Sequence, residues 1–151
     1  MTRSVLIVYH SQSGASASLA HAACRGLSAS GISYESARAE DAGSSQVASC
    51  DGLLLVAAEN SGRLAGGMKD FLDRVFYPLC RREEVKPYLL LISAGNDGRG
   101  ASEDVQRILR GIPFTAAMEP QIIRGLPGEG DLSRVTQMAE AFGTGLEMGI
   151  F

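Results

Sequence analysis

Three hydroxyl side chains lie within the six-residue segment 11–16, which reads Ser-Gln-Ser-Gly-Ala-Ser. The segment follows the apolar run 4–9, typical of a buried strand, and precedes apolar residues at helical spacing from Leu19 to Leu27. A loop between a strand and a helix points free backbone N–H groups at one spot, where the helix dipole adds positive potential. Because the segment contains no Lys or Arg, the pattern predicts a phosphate site built from neutral donors. The alternative is a simple helix N-cap, for which one Ser is enough.

Two further segments rich in Gly, Ser and Asn also follow apolar runs of strand length. Residues 59–67 follow the run 52–58, and residues 95–100 follow the run 87–93. Closely spaced glycines permit positive φ angles and allow the backbone to contact a flat ligand. In an open parallel sheet, ligands bind outside the carboxyl ends of the strands, where the strand order reverses. We therefore expect all three segments to border one ligand site, although the third segment alone could be a plain turn.

The order of the elements predicts an α/β fold. Runs of strand length alternate with helical patterns, which implies right-handed crossovers between parallel strands with helices on both faces. The last helix is expected to begin with Asp131 as its N-cap and to extend through Leu146. No repeat or linker interrupts the pattern, so we predict a single domain over residues 1–151. The five predicted strands are 4–9, 32–37, 52–58, 87–93 and 121–123, of which the second and last are weak patterns.

Composition restricts the class of protein. The chain has 151 residues, of which 45% are hydrophobic, and a formal net charge of −3, a balance typical of a globular domain. No apolar run approaches the roughly twenty residues of a membrane span, and no run of Lys or Arg indicates nucleic acid binding. The three cysteines are too scattered for a disulfide framework or a metal-binding pair. We expect a cytoplasmic protein with no membrane span, no nucleic acid partner and no metal site.

The segment 7–20, Ile-Val-Tyr-His-Ser-Gln-Ser-Gly-Ala-Ser-Ala-Ser-Leu-Ala, resembles the N-terminal signature of the flavodoxin-like flavoproteins. That signature has an aliphatic–aromatic strand end, a Ser or Thr, a small residue three positions further on, then a Thr and a later Ala. Ser16 stands where Thr is usual and retains the hydroxyl group. The resemblance implies a flavodoxin-like three-layer sandwich with a doubly wound five-stranded parallel sheet of order 2-1-3-4-5. It also implies that an FMN phosphate is bound by the first loop, through Ser11, Gln12, Ser13, Gly14, Ala15 and Ser16.

The second loop and the helix after it resemble the NAD(P)H-dependent FMN reductases of the same superfamily. Residues 68–74, Met-Lys-Asp-Phe-Leu-Asp-Arg, fit the helix pattern of those proteins, while Ala58 and Asn60 replace a usual Pro and Tyr. In those proteins this loop runs beside the isoalloxazine, and the third loop closes over its pyrimidine side. The resemblance therefore implies further cofactor contacts from Ala58, Glu59, Asn60, Ser61, Gly62, Ser93, Ala94, Gly95, Asn96, Gly98 and Gly100.

The implied function is that of an FMN oxidoreductase that takes hydride from NAD(P)H and passes electrons to a quinone, a flavin or a similar acceptor. The alternatives are a flavodoxin-type electron carrier between protein partners and a flavin-free interaction module. Carriers of this family resemble strongly acidic proteins with a Trp and a Tyr on the ring. This sequence has no Trp, and Arg63 and Arg99 lie in the loops expected to face the ring, which favours the reductase.

No side chain is assigned a catalytic role, since hydride transfer to a flavin does not require an acid or a base. His10 is placed near the phosphate without such a role. The resemblance also allows a homo-oligomer in which a neighbouring subunit helps to cover the flavin.

Overall fold

The computed structural model of the protein describes residues 2–151. Its central sheet is parallel except for one short antiparallel strand, and the order along the sheet is β2-β1-β3-β5-β6, with β4 beside β3 and β7 beside β5. The predicted doubly wound parallel sheet is thereby confirmed. The strands are β1 (Ser4–Tyr9), β2 (Ser33–Arg38), β3 (Gly52–Asn60), β4 (Arg63–Leu64), β5 (Pro87–Ala94), β6 (Thr115–Ala116) and β7 (Gln121–Arg124).

The fifth strand position is shared by two short strands. β6 pairs with Pro87 and Tyr88 at the start of β5, and β7 pairs with the last four residues of β5, Leu91 to Ala94. Pro120 stands between the two pieces and has no N–H to donate to a neighbouring strand. The predicted order 2-1-3-4-5 therefore describes the sheet with its last strand interrupted.

Five helices cover the two faces of the sheet: α1 (Ala15–Ser30), α2 (Ser44–Ser49), α3 (Gly66–Cys80), α4 (Arg99–Gly111) and α5 (Glu129–Glu147). Successive side chains of β3 point to opposite faces of the sheet. Leu53 and Leu55 therefore join the core under α3 and α4, whereas Leu54 joins the core under α1 and α5. The central strands are apolar without interruption because both faces are buried. No helix within residues 2–151 is both long enough and apolar enough to cross a membrane.

The segment 59–67, expected to be a loop, forms a β-hairpin instead. β3 continues to Asn60, and β4 pairs with it in antiparallel register, Glu59 with Leu64 and Asn60 with Arg63. Ser61 and Gly62 make the turn with φ angles of 51° and 77°. Positive φ angles at both central residues are what a two-residue type I′ turn requires. α3 then begins at Gly66, two residues before the predicted Met68.

One other expectation about helices is wrong, and one helix was not predicted. α5 begins at Glu129 after Gly128 as its N-cap, and Asp131 lies in the first turn, where Oδ2 accepts the Gly128 N–H at 3.0 Å. The short helix α2 lies between β2 and β3, where no helix was predicted. Its six residues have only one buried apolar side chain, Val47, which is too little for a periodic signal.

Candidate functional site

The first loop delivers a helix with an uncapped N-terminus. Gly14 is the N-cap of α1, with a φ of 100°, and no side chain hydrogen bonds to the first-turn amides. Those amides have no carbonyl of a preceding turn to bind, so they are free for a ligand. The Ser11 hydroxyl accepts the Gly14 N–H at 3.0 Å and holds the loop, while Ser16 is only 2% exposed.

This N-terminus opens into a cavity of about 360 Å³ at the carboxyl ends of the strands, within the size range of small-molecule sites. The structure brings together part of each predicted loop around it. The predicted residues that line the cavity are Ser11, Gln12, Ser13, Ala15, Ser16, Ala58, Glu59, Asn60, Ser93, Ala94 and Gly95. Their contacts with a cofactor remain predictions.

The other predicted cofactor residues do not line this cavity: they are Gly14, Ser61, Gly62, Asn96, Gly98 and Gly100. A methyl group added to Gly100 would overlap the carbonyl oxygen of Gly62, and one added to Gly98 would lie 2.7 Å from Ile122 Cγ2. Gly98 and Gly100 thus permit close contact within the chain. The sequence could not distinguish this role from contact with a flat ligand.

Glu59 connects the hairpin to the start of α4. Its Oε1 accepts the Gly98 N–H at 3.2 Å, and its Oε2 accepts the Ala101 N–H at 3.3 Å. A carboxylate is favourable at this position because the N-terminus of a helix carries partial positive charge. Although Glu59 lines the cavity, both of its carboxylate oxygens are therefore engaged by α4.

The two arginines expected to face the ring lie elsewhere. Arg63 donates to Asp104 of α4, which also accepts from the Leu64 N–H and from Arg107. The hydrogen bond from Arg63 is the largest cause that holds the pKa of Asp104 below its usual range. Arg99 is exposed at the first residue of α4 and does not line the cavity.

A third arginine lies at the first loop. Arg38 is the last residue of β2 and pairs in register with Tyr9, so its Nη2 reaches the Ser11 carbonyl oxygen at 3.1 Å. Its Nε forms an ion pair with Glu40 at 2.8 Å, and that bond lowers the pKa of Glu40. Arg38 was not predicted as part of the site, although it directly follows the predicted second strand. The pair leaves the loop with little net charge.

The His10 ring also lines the cavity, at the junction between β1 and α3. Both ring nitrogens are buried, and neither has a hydrogen-bond partner within the described part of the chain. The ring packs so closely on Gly67, in the first turn of α3, that a methyl group on Gly67 would overlap it. A buried polar atom without a partner is rare and calls for a physical explanation.

A fourth segment, which follows β7, completes the cavity. Gly125 and Leu126 line it, and the Leu126 side chain is 84% exposed. A single exposed leucine carries no sequence signal, so this segment was not predicted. Among residues 2–151, no group of three or more His, Cys, Asp or Glu side chains is placed to hold a metal ion.

No protein-family model matches the sequence, and no curated protein matches it in sequence. Solved structures do match. A flavodoxin from the domain Archaea superposes with a TM-score of 0.82 at 15% identity, over 95% of this chain and 99% of that chain. The flavodoxin, WrbA-like protein from Agrobacterium tumefaciens gives a TM-score of 0.82 at 12% identity, over 97% and 99% of the two chains.

The rubredoxin oxygen:oxidoreductase from Desulfovibrio gigas gives a TM-score of 0.85 at 15% identity. The match covers 99% of this chain but only 37% of that protein. Together these similarities show that the chain has the flavodoxin-like fold, as the resemblance of the segment 7–20 implied.

Proposed function

We propose that the chain binds FMN in the cavity at the carboxyl ends of β1, β3 and β5 and acts as an oxidoreductase in electron transfer. The observation that carries this proposal is the uncapped N-terminus of α1, which opens into the same cavity as the carboxyl ends of β3 and β5. A phosphomonoester joined to a flat ring needs such an anion site beside a slot bordered by further loops.

The residues at the first loop fit a phosphate. The loop offers neutral hydrogen-bond donors, namely the backbone amides of Ala15 and Ser16 and the hydroxyls of Ser13 and Ser16. No side chain caps the N-terminus of α1, so these amides are free to bind a ligand. A doubly charged anion there is favoured by the dipole of α1.

The ring would lie between the hairpin and the loop after β5. The nearest lining residues there are small or polar, namely Ala58, Asn60, Ser93 and Gly95. Bound FMN would supply the capacity to accept and release one or two electrons. The residues of the chain would bind and orient the ring and set how much of it solvent can reach.

We infer NAD(P)H as the electron donor and a quinone, a flavin or a similar small molecule as the acceptor. No Phe, Tyr or Trp is among the described residues that line the cavity, so at least one face of the ring would be open to a nicotinamide. A flavodoxin-type carrier is the second candidate, since the archaeal flavodoxin matches this chain over 99% of its own length. In either case we infer a single FMN-binding domain, over residues 1–151, in the cytoplasm.

The proposal is tested with the purified full chain and added FMN. We expect a bound-flavin absorbance spectrum and a saturable change of flavin fluorescence; a chain that takes up no FMN would overturn the proposal. Anaerobic addition of NADH or NADPH then separates the two candidates. Rapid bleaching supports the reductase, whereas indifference to both donors, with reduction by a ferredoxin-type reductase, supports the carrier.

A further inference from the structure

Leu126 is an apolar side chain held at the mouth of the cavity with most of its surface exposed to water. It is 84% exposed, yet it borders the same cavity as the phosphate loop. Isolated exposed leucines are common on protein surfaces, so exposure alone has no functional meaning. The position of Leu126 and the constrained backbone around it indicate a function.

The backbone on both sides of Leu126 is constrained. Gly125 adopts a φ of 70°, and its N–H donates to the Ala94 carbonyl oxygen at 2.8 Å, which ties the segment to the end of β5. Pro127 follows and restricts Leu126 to extended conformations. The leucine is therefore presented to the cavity by a segment with little conformational freedom to lose on binding.

Leu126 also lies at the opposite end of the cavity from the phosphate loop. In the sheet order β1-β3-β5-β7, the first loop follows β1 and Leu126 follows β7. Three strand spacings separate the two, which is about 14 Å. A ligand with its phosphate at the N-terminus of α1 would reach Leu126 with its other end.

We propose that Leu126 is the apolar cover of one face of the flavin ring, an inference that rests on the proposed function. No Phe, Tyr or Trp is among the described residues that line the cavity, and Leu126 is the most exposed large apolar side chain in the described part of the chain. Contact with a flat apolar ring would remove its surface from water. The contribution of one partly covered leucine to binding corresponds to roughly a tenfold change in affinity.

The test compares Leu126→Ser with the matched variant Ile150→Ser, using FMN and riboflavin as ligands. Ile150 is 64% exposed at the C-terminus and does not line the cavity. We expect Leu126→Ser to weaken FMN and riboflavin by the same factor, roughly tenfold, because the ring is common to both. Ile150→Ser should leave both dissociation constants unchanged, and the melting temperature of each ligand-free variant should equal that of the wild type.

A second variant, Leu126→Trp, should bind both flavins more tightly than the wild type and quench their fluorescence more strongly. The inference is overturned if the wild type binds FMN while Leu126→Ser binds it equally well. It is also overturned if only FMN is weakened, because Leu126 would then act on the phosphate end. A wild type that binds neither flavin would overturn the proposed function and this inference together.

Discussion

Arg63 donates two parallel hydrogen bonds to Asp104, from Nε at 3.1 Å and from Nη2 at 2.8 Å, although the two residues are 41 positions apart in the sequence. The bonds fasten the hairpin of β3 and β4 to α4, and Glu59 fastens the same hairpin to the first turn of that helix. The third loop leads directly into α4, so the bonds from Glu59 also connect the hairpin to the end of that loop.

Asp104→Asn should lower stability at neutral pH by about 1 kcal/mol, because the amide keeps the shape but loses the charge that Arg63 and Arg107 neutralise. The folded-state pKa of Asp104 is held below the unfolded value, so its charge contributes stability above about pH 4. That contribution disappears as pH falls through the folded-state pKa. The stability difference between wild type and variant should therefore shrink towards pH 3.

Urea unfolding at a series of pH values measures this difference. The control is Glu103→Gln, a neighbouring acidic residue that is exposed on α4. It should change stability by less than about 0.5 kcal/mol at neutral pH. A constant difference between wild type and Asp104→Asn from pH 7 to pH 3 would contradict the role assigned to the ion pair.

The close approach of α4 to the hairpin predicts an unequal response of two helical glycines. In Gly100→Ala the new methyl group would overlap the Gly62 carbonyl oxygen, which should cost about 2 kcal/mol of stability. Gly66→Ala, in the first turn of α3, adds a methyl group in open space and should stabilise by roughly 0.5 kcal/mol. Thermal melts of both variants measure the contrast, and equal melting temperatures would show that the hairpin does not rest on α4.

Sequence patterns identified the sheet because burial on both faces leaves a local record. Leu53 to Val56 are all buried, so β3 is recognisable without knowledge of its neighbours. The place of the candidate site could be predicted as well, because the segments at the carboxyl ends of parallel strands must meet at one edge. Segments 11–16, 58–60 and 93–95 do meet there, around one cavity.

What the sequence could not provide depends on partners distant along the chain. β4 is two residues long and is held by Asp104, so residues 63–64 carry no strand pattern of their own. A glycine is needed at position 100 because the Gly62 carbonyl oxygen lies so close to it, and no local sequence pattern indicates that contact. Leu126 is recognisable as a candidate site residue only because it borders the cavity.

Ser16→Asp should abolish FMN binding, because a carboxylate would stand where the phosphate is proposed to bind. Ser16 is 2% exposed and lines the cavity. Ser18→Asp is the control, because Ser18 lies in the first turn of the same helix but is exposed. A negative charge at that position stabilises the helix through its dipole. Flavin fluorescence titration measures both dissociation constants, and circular dichroism checks that Ser16→Asp is folded. A folded Ser16→Asp variant with wild-type affinity would disprove the phosphate assignment.

His10→Leu should raise the stability of the ligand-free protein by about 1 kcal/mol. The imidazole buries two nitrogens without a partner in the described chain, and each such atom costs about 1–3 kcal/mol, whereas an apolar side chain of similar size has no polar atom to desolvate. The close contact with Gly67 limits the gain, because a branched side chain must fit the same space. His21, exposed on α1, is the other histidine of the chain, so His21→Leu is the matched control and should alter stability by less than about 0.5 kcal/mol. Chemical denaturation without ligand measures both effects. A His10→Leu variant less stable than the wild type would mean that an ordered water or an alternative rotamer satisfies the imidazole.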